Sequence, residues 1–362
     1  MRVESILRQP FYGERMVASV SDDRWPERIA QWLAEAQPRQ SSALALPASR
    51  FFCLLDEQPT HLVPTRMLAD NGEALSDRVV RNPDCVLARD GVLPAEVAPQ
   101  IRLLEQFTWE SPIAWARDPA TRAMLPFWLG SELAARVENI SPNTPPPASL
   151  SPRLRAILQR AGILVQEDQL GRAGEQWKTA TAQCARMFQA NGYAPVAGLI
   201  HPFHIGALRR YYRHRIRTGT LPLGDHQSPR RYVAHNESVA CFFHQQLTSA
   251  VSALAGEPVK PSYVYLASYL SGAELEKHID REQCEFSISL CLDYSPEPLR
   301  ETPWPLRLET SAGTVAVFQA IGDGLLYRGA QLPHYRDALP EGHTSTSIFF
   351  HYVSGHFDGR LD

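Results

Sequence analysis

The sequence predicts an α+β chain: a C-terminal double-sheet jelly roll with flanking helices, behind a mainly helical N-terminal extension. Three observations carry this. Apolar stripes of helical period occupy the first part. A proline-rich stretch, Ser141 to Ser149, then interrupts the chain. Short alternating runs separated by Gly and Pro turns crowd towards the C-terminus. The expected organisation is a helical domain over 1–140, a linker over 141–150, a helical connector over 151–180 and the jelly roll over 181–362.

Taken in order, Trp25, Ile29, Trp32 and Leu33 recur at helical spacing and form one apolar stripe. Val97, Ile101, Leu104 and Phe107 form a second. After the linker, Ser151 can cap a helix with Pro152 as its first residue. Leu154, Ile157, Leu158 and Ala161 give its buried face, Gly162 ends it, and Ile163 to Val165 reads as a short strand. This helix-plus-strand ending weakly resembles a winged-helix module; an ordinary helical extension explains it better. Phe188 to Ile200 reads as a helix end, a stop at Gly192 and an extended run. Ile205 to Arg217 and Ser238 to Leu254 read as helices. Tyr263 to Tyr269 alternates, with its tyrosines and Ala267 on one face. Glu285 to Leu292 is the cleanest strand, with Phe286, Ile288, Leu290 and Leu292 on one side. Thr314 to Phe318, Leu325 to Arg328 and Ser345 to Val353 complete the series.

The 362 residues are 44% hydrophobic and 21% charged, which suits a packed core rather than disorder. A formal net charge of -3 argues against a dedicated nucleic-acid binder. No apolar run is long enough for a transmembrane helix, and the N-terminus lacks the apolar stretch of a secretory signal. The six cysteines are scattered, with no CxxC, as in reduced proteins. A soluble, cytoplasmic protein is expected.

His278-Ile-Asp280 is the centre of the functional argument. In an extended chain residues i and i+2 face the same way, so both side chains can reach one ion. His334 lies after several intervening strands, where a jelly roll can return beside the first pair. Two imidazoles and one carboxylate on one face of an octahedron leave three positions open, the pattern of non-haem Fe(II) oxygenases.

The segments YVYLASYLSGAELEKHIDREQCEFSISLCLD and GDGLLYRGAQLPHYRDALPEGHTSTSIFFHYV resemble the 2-oxoglutarate- and Fe(II)-dependent dioxygenases, in particular their prolyl-hydroxylase-like branch. The resemblance spans roughly Tyr193 to Val353. It implies a double-stranded β-helix, with His278, Asp280 and His334 as iron ligands and catalytic centre. It also implies 2-oxoglutarate and O2 as cosubstrates, release of succinate and CO2, and oxidation of an unactivated C–H bond. Related halogenases lack the carboxylate, so Asp280 points to hydroxylation, or another oxidation, rather than halogenation. The expected substrate is an amino acid, a peptide or a natural product; no membrane partner is expected.

One departure stands out. An Arg or Lys roughly ten residues past the distal histidine normally pairs with the far carboxylate of the cosubstrate, because a guanidinium fork matches it bidentately. Here His343, Thr344 and Ser345 occupy that region, and no Arg or Lys lies between Arg336 and Arg360. Arg336, two residues past His334, can supply the charge instead. His343, with hydroxyls such as those of Tyr265 and Tyr269, is the other candidate, and Arg328 a third. The departure keeps open a non-catalytic jelly roll that binds metal or ligand. A nucleic-acid demethylase and a cupin-like isomerase or hydrolase share parts of the pattern. His201 and His204 read as surface or capping histidines, Arg209 to Arg217 as a solvated helix face, and His351 and His356 as structural.

Overall fold

The computed structural model describes residues 63–64, 67, 78–88, 93–99, 112–118, 121–129 and 131–362. The stripe at Trp25 to Leu33 lies outside them. So does the second stripe apart from Val97, which is buried in a turn.

The described part of the first 140 residues is built largely from strands. β1 (Val80–Arg81), β2 (Cys85–Ala88), β3 (Ile113–Arg117) and β4 (Met124–Trp128) precede one short helix, α1 (Ser131–Glu138). β2, β3 and β4 form an antiparallel sheet. Their apolar residues do not alternate: Trp115, Phe127 and Trp128 are almost wholly buried, as in strands covered on both faces.

Residues 141–150 form turns, and Asn143 and Thr144 bond to the backbone of Arg81. α2 (Pro152–Arg160) starts as its sequence dictates, with Ser151 Oγ accepting from Leu154 N–H. β5 (Leu164–Val165) pairs with β1. α3 (Glu167–Asn191) runs through the expected 180/181 boundary without a break. It stops at Gly192, whose φ of 77° is a left-handed conformation that costs glycine least.

The remaining elements build the jelly roll: β6 (Tyr193–Val196), α4 (Pro202–Arg217), β7 (Arg231–His235), α5 (Ser238–Ala255), β8 (Val259–Tyr269), β9 (Leu275–His278), β10 (Phe286–Ser295), β11 (Leu306–Thr310), β12 (Gly313–Val317), β13 (Gly324–Tyr327), β14 (His334–Arg336) and β15 (Thr344–Ser354). A six-stranded sheet runs in the order β6-β13-β10-β15-β8-β7, and a four-stranded sheet in the order β12-β11-β14-β9. Every described pairing is antiparallel. Leu275, Leu306, Leu308 and Val317 of the small sheet bury against Leu325 and Tyr327 of the large one. The other face of the large sheet carries Val264, Leu266, Ile288 and Phe350 into a core shared with α3 and α5. Covering both faces explains why β10 is buried along nearly its whole length.

Two expectations about α4 change. Arg209 is not on a solvated face: its side chain is fully buried between Asp293 and Glu297, and Arg213 also pairs with Asp293. His201 does cap α4, accepting from Phe203 N–H, but both histidines are buried. A His204 ring nitrogen meets Pro126 O at 2.9 Å, and the ring packs edge-on against Phe127. Burial drives the His204 pKa down to about 3, so it stays neutral as a link between α4 and the β2–β4 sheet.

Candidate metal centre

β9 and β14 place the histidines. The strands pair with His278 directly opposite His334, and Asp280 follows two residues beyond His278. The imidazole centroids lie 4.4 Å apart. Nε2 of His278 is 3.5 Å from Asp280 Oδ1, and Nε2 of His334 is 3.6 Å from the same oxygen. One donor atom from each residue falls within 4.8 Å of the other two.

The backbone fixes which nitrogen faces inward. Nδ1 of His278 lies 2.7 Å from Glu276 O, and Nδ1 of His334 lies 2.9 Å from Leu332 O. A carbonyl can only accept, so each Nδ1 carries a proton, and each Nε2 points towards Asp280, where loss of its own proton would free a lone pair for a cation. This is the outer hydrogen bond that ligating histidines use to set tautomer and orientation. Burial would raise the Asp280 pKa, but the His278 hydrogen bond and the charges of His334 and His351 bring it down to about 2. Hydrogen bonding to Asp280 raises His278, whereas burial lowers His334. An ionised carboxylate beside two inward-facing imidazole nitrogens fits a divalent cation of the iron class.

Gly329 makes room for the carboxylate. A Cβ there would stand 2.4 Å from Asp280 Oδ2 and 2.6 Å from Ser287 Oγ, and Gly329 O accepts from Asp280 N–H. Glycine is required by proximity, not by backbone angle.

The three donors open into a cavity of about 490 Å³. Tyr265 and Tyr269 line it, as the alternation of β8 predicts. Their hydroxyls are engaged: Tyr265 donates to Asp225, and Tyr269 accepts from Arg231, which itself pairs with Asp225. Ile279, 56% exposed, and Arg281 stand among the lining residues.

Arg336 and His343 lie elsewhere. His343 Nδ1 hydrogen-bonds the Tyr294 hydroxyl and is not among the cavity-lining residues. Arg336 is buried and is not among the cavity-lining residues; it donates to Trp304 O and to Gln319 Oε1, with its charge over the Trp304 ring. Arg328 stacks over Phe188 and Phe286, also outside the lining.

Sequence reasoning missed three groups. Ser289 and Ser347 are buried on β10 and β15, and their hydroxyls, like Arg336 Nε, meet no hydrogen-bond partner among the described residues. Burial lowers the Arg336 pKa, a cost that the neighbouring tyrosines and Cys291 offset only in part. His351 lines the cavity rather than serving only as structure, with Nδ1 2.9 Å from Ser287 Oγ. Strand parity with Phe349 was the available signal for it.

No family model matches the chain. No curated protein matches it. Among solved structures, the chain is similar over its C-terminal half to 2-oxoglutarate- and Fe(II)-dependent oxygenases. AviO1 from Streptomyces viridochromogenes Tue57 is 19% identical, with a TM-score of 0.41 over 50% of this chain and 97% of that one. A prolyl-4-hydroxylase from Pseudomonas putida is 16% identical, with a TM-score of 0.38 over 48% of this chain and all (100%) of that one. HygX from Streptomyces hygroscopicus, solved with nickel, 2-oxoglutarate and hygromycin B, is 15% identical, with a TM-score of 0.39 over 48% of this chain and 88% of that one.

Proposed function

We propose that this chain is a 2-oxoglutarate- and Fe(II)-dependent oxygenase that hydroxylates an unactivated C–H bond. The observation that carries the reading is the meeting of three donors, His278 Nε2, His334 Nε2 and Asp280 Oδ1, with both tautomers set by backbone carbonyls. When bound, iron with 2-oxoglutarate and dioxygen supplies the oxidising chemistry, with succinate and CO2 as co-products.

The protein's part is to hold, orient and shield. His278, Asp280 and His334 hold the ion from one side. Arg336 receives the far carboxylate of 2-oxoglutarate through its buried guanidinium. An anion there would pair with Arg336 Nε, which meets no partner among the described residues, and relieve the desolvated guanidinium. Arg231 is the weaker candidate because Asp225 already neutralises it. Tyr265, Tyr327 and Phe349 wall the cavity and limit water. Its volume, about 490 Å³, suits a small molecule or the side chain of a peptide.

Anaerobic addition of Fe(II) and then 2-oxoglutarate tests the reading. A weak visible charge-transfer band, absent in His278→Ala, together with 2-oxoglutarate-dependent succinate release in air, is the expected result. One feature favours a second reading, a metal- or ligand-binding jelly roll: β15 contains no Arg or Lys. Iron binding with neither band nor succinate at saturating 2-oxoglutarate would establish it.

A further inference from the structure

Asp280 presents two oxygens to two different groups of side chains. Oδ1 faces His278 and His334, whereas Oδ2 faces Ser287 Oγ at 3.4 Å. The same Ser287 Oγ lies 2.9 Å from His351 Nδ1 and donates to Cys284 O at 3.4 Å. Asp280, Cys284 and His351 each offer a donor atom, and these atoms lie within 4.8 Å of one another. Both Cys284 and His351 are buried, at 0% and 5% exposure, and neither belongs to the metal-binding triad proposed above.

We propose that Asp280 Oδ2, Cys284 Sγ and His351 form a second metal site, selective for a thiophilic divalent cation of the Zn(II) class. A thiolate, a carboxylate and an imidazole make up a ligand set that Zn(II) accepts, whereas harder cations avoid sulfur. Metal–ligand bonds of about 2.0–2.3 Å put tetrahedral donors roughly 3.3–3.8 Å apart, so closing the site needs side-chain shifts of about 1 Å or less. The surroundings already serve such a ligand set. The Tyr263 hydroxyl lies 3.0 Å from Cys284 Sγ and can donate to a thiolate. Ser287 Oγ holds His351 Nδ1, and the Tyr263 ring lies against the His351 ring at 4.6 Å. On binding, the Cys284 thiol gives its proton to solvent, and the two negative ligands match the charge of the ion. Because Asp280 is common to both sites, an ion here withdraws charge from the first site and weakens the metal held by His278 and His334. The second site is thus placed to make zinc an inhibitor of the first.

Co(II), which reports thiolate ligation by near-ultraviolet charge transfer, is the probe. The metal-free full-length protein is titrated with Co(II), alongside Cys284→Ser, His351→Gln and His278→Ala, with thermal melts to show that each variant is folded. We expect thiolate charge-transfer absorption in the wild type and in His278→Ala, and its loss in both Cys284→Ser and His351→Gln. If Cys284→Ser fails to fold, His351→Gln carries the test alone. No thiolate absorption in the wild type, or absorption that persists in a folded Cys284→Ser or His351→Gln, overturns the proposal. Co(II) bound without thiolate absorption and lost in His278→Ala would sink this site and leave the first standing. The reverse result, thiolate absorption with no second Co(II) equivalent affected by His278→Ala, would sink the first and keep this one.

Discussion

Gly329 shows how closely one atom controls the candidate centre. A methyl group there would meet Asp280 Oδ2 at 2.4 Å and Cys284 O at 2.8 Å, and neither backbone can retreat while Asp280 N–H bonds Gly329 O. Gly329→Ala therefore displaces the carboxylate and lowers metal affinity about 10–100-fold, the range seen when support of a ligand is lost. A metal titration read beside a thermal melt separates this from unfolding. Arg336 gives a second test at this scale. Arg336→Met keeps the volume of the side chain but removes the buried cation, so 2-oxoglutarate affinity falls at least tenfold while Fe(II) affinity holds. Arg231→Met should change that affinity less. A larger loss in Arg231→Met would move the carboxylate to the Arg231 side of the cavity. The sequence exposed Arg336 by its spacing from His334. Ser289 and Ser347 stayed hidden because a serine within an apolar strand looks the same whether its hydroxyl is paired or orphaned.

Elements decide which of these residues meet. HxD is legible as a unit because two residues in an extended chain share a face. The pairing that sets His278 opposite His334 belongs to β9 and β14, short strands that no alternation marks. Helix α4 was misread for a related reason. Its Arg-rich stretch looks solvated, yet Arg209 and Arg213 turn towards Asp293 on β10 and anchor the helix to the sheet. Removing one partner of a buried pair costs about 3 kcal/mol, so Asp293→Ala should lower the unfolding free energy by that order. Chemical denaturation measures it; a loss below about 1 kcal/mol would mean the network is solvated in solution.

At the scale of the whole molecule, one apolar cluster joins the β2–β4 sheet to the jelly roll, running from Trp115 and Phe127 through Phe242 to Phe350. Trp115 packs edge-on against Phe242, and Met124 N–H bonds Gln246 Oε1 on α5. Calorimetry should therefore show one cooperative transition for these parts; two well-separated transitions would show that they unfold independently. A chain cut at the 180/181 boundary divides α3 and should not fold to the same stability. Stability should also depend on acid in a defined direction. Burial pushes Asp293 up, but Arg209 and Arg213 outweigh it and hold the carboxyl below its ordinary value. Its contribution is complete above the unfolded carboxyl pKa of about 3.9 and is lost as pH falls below that towards the folded value. Between pH 6 and pH 3, Asp293→Asn should lose less stability than the wild type; an equal loss would assign acid sensitivity to other groups.

What the sequence determined by itself is local. Ser151 and Pro152 start a helix, Gly192 ends one, the tyrosines of β8 share a face, and His278 and Asp280 point together, because each depends on backbone geometry within a few residues. Tertiary structure alone decided what lies far apart in the chain. It set His334 beside His278, buried Arg209 against Asp293, and brought a carboxylate oxygen of Asp280 within 4.8 Å of donor atoms of Cys284 and His351. It also left Arg336, Ser289 and Ser347 with buried polar atoms that meet no partner among the described residues. Those facts follow from strand register and from which sheet face is covered, and neither is written in the period of any single strand.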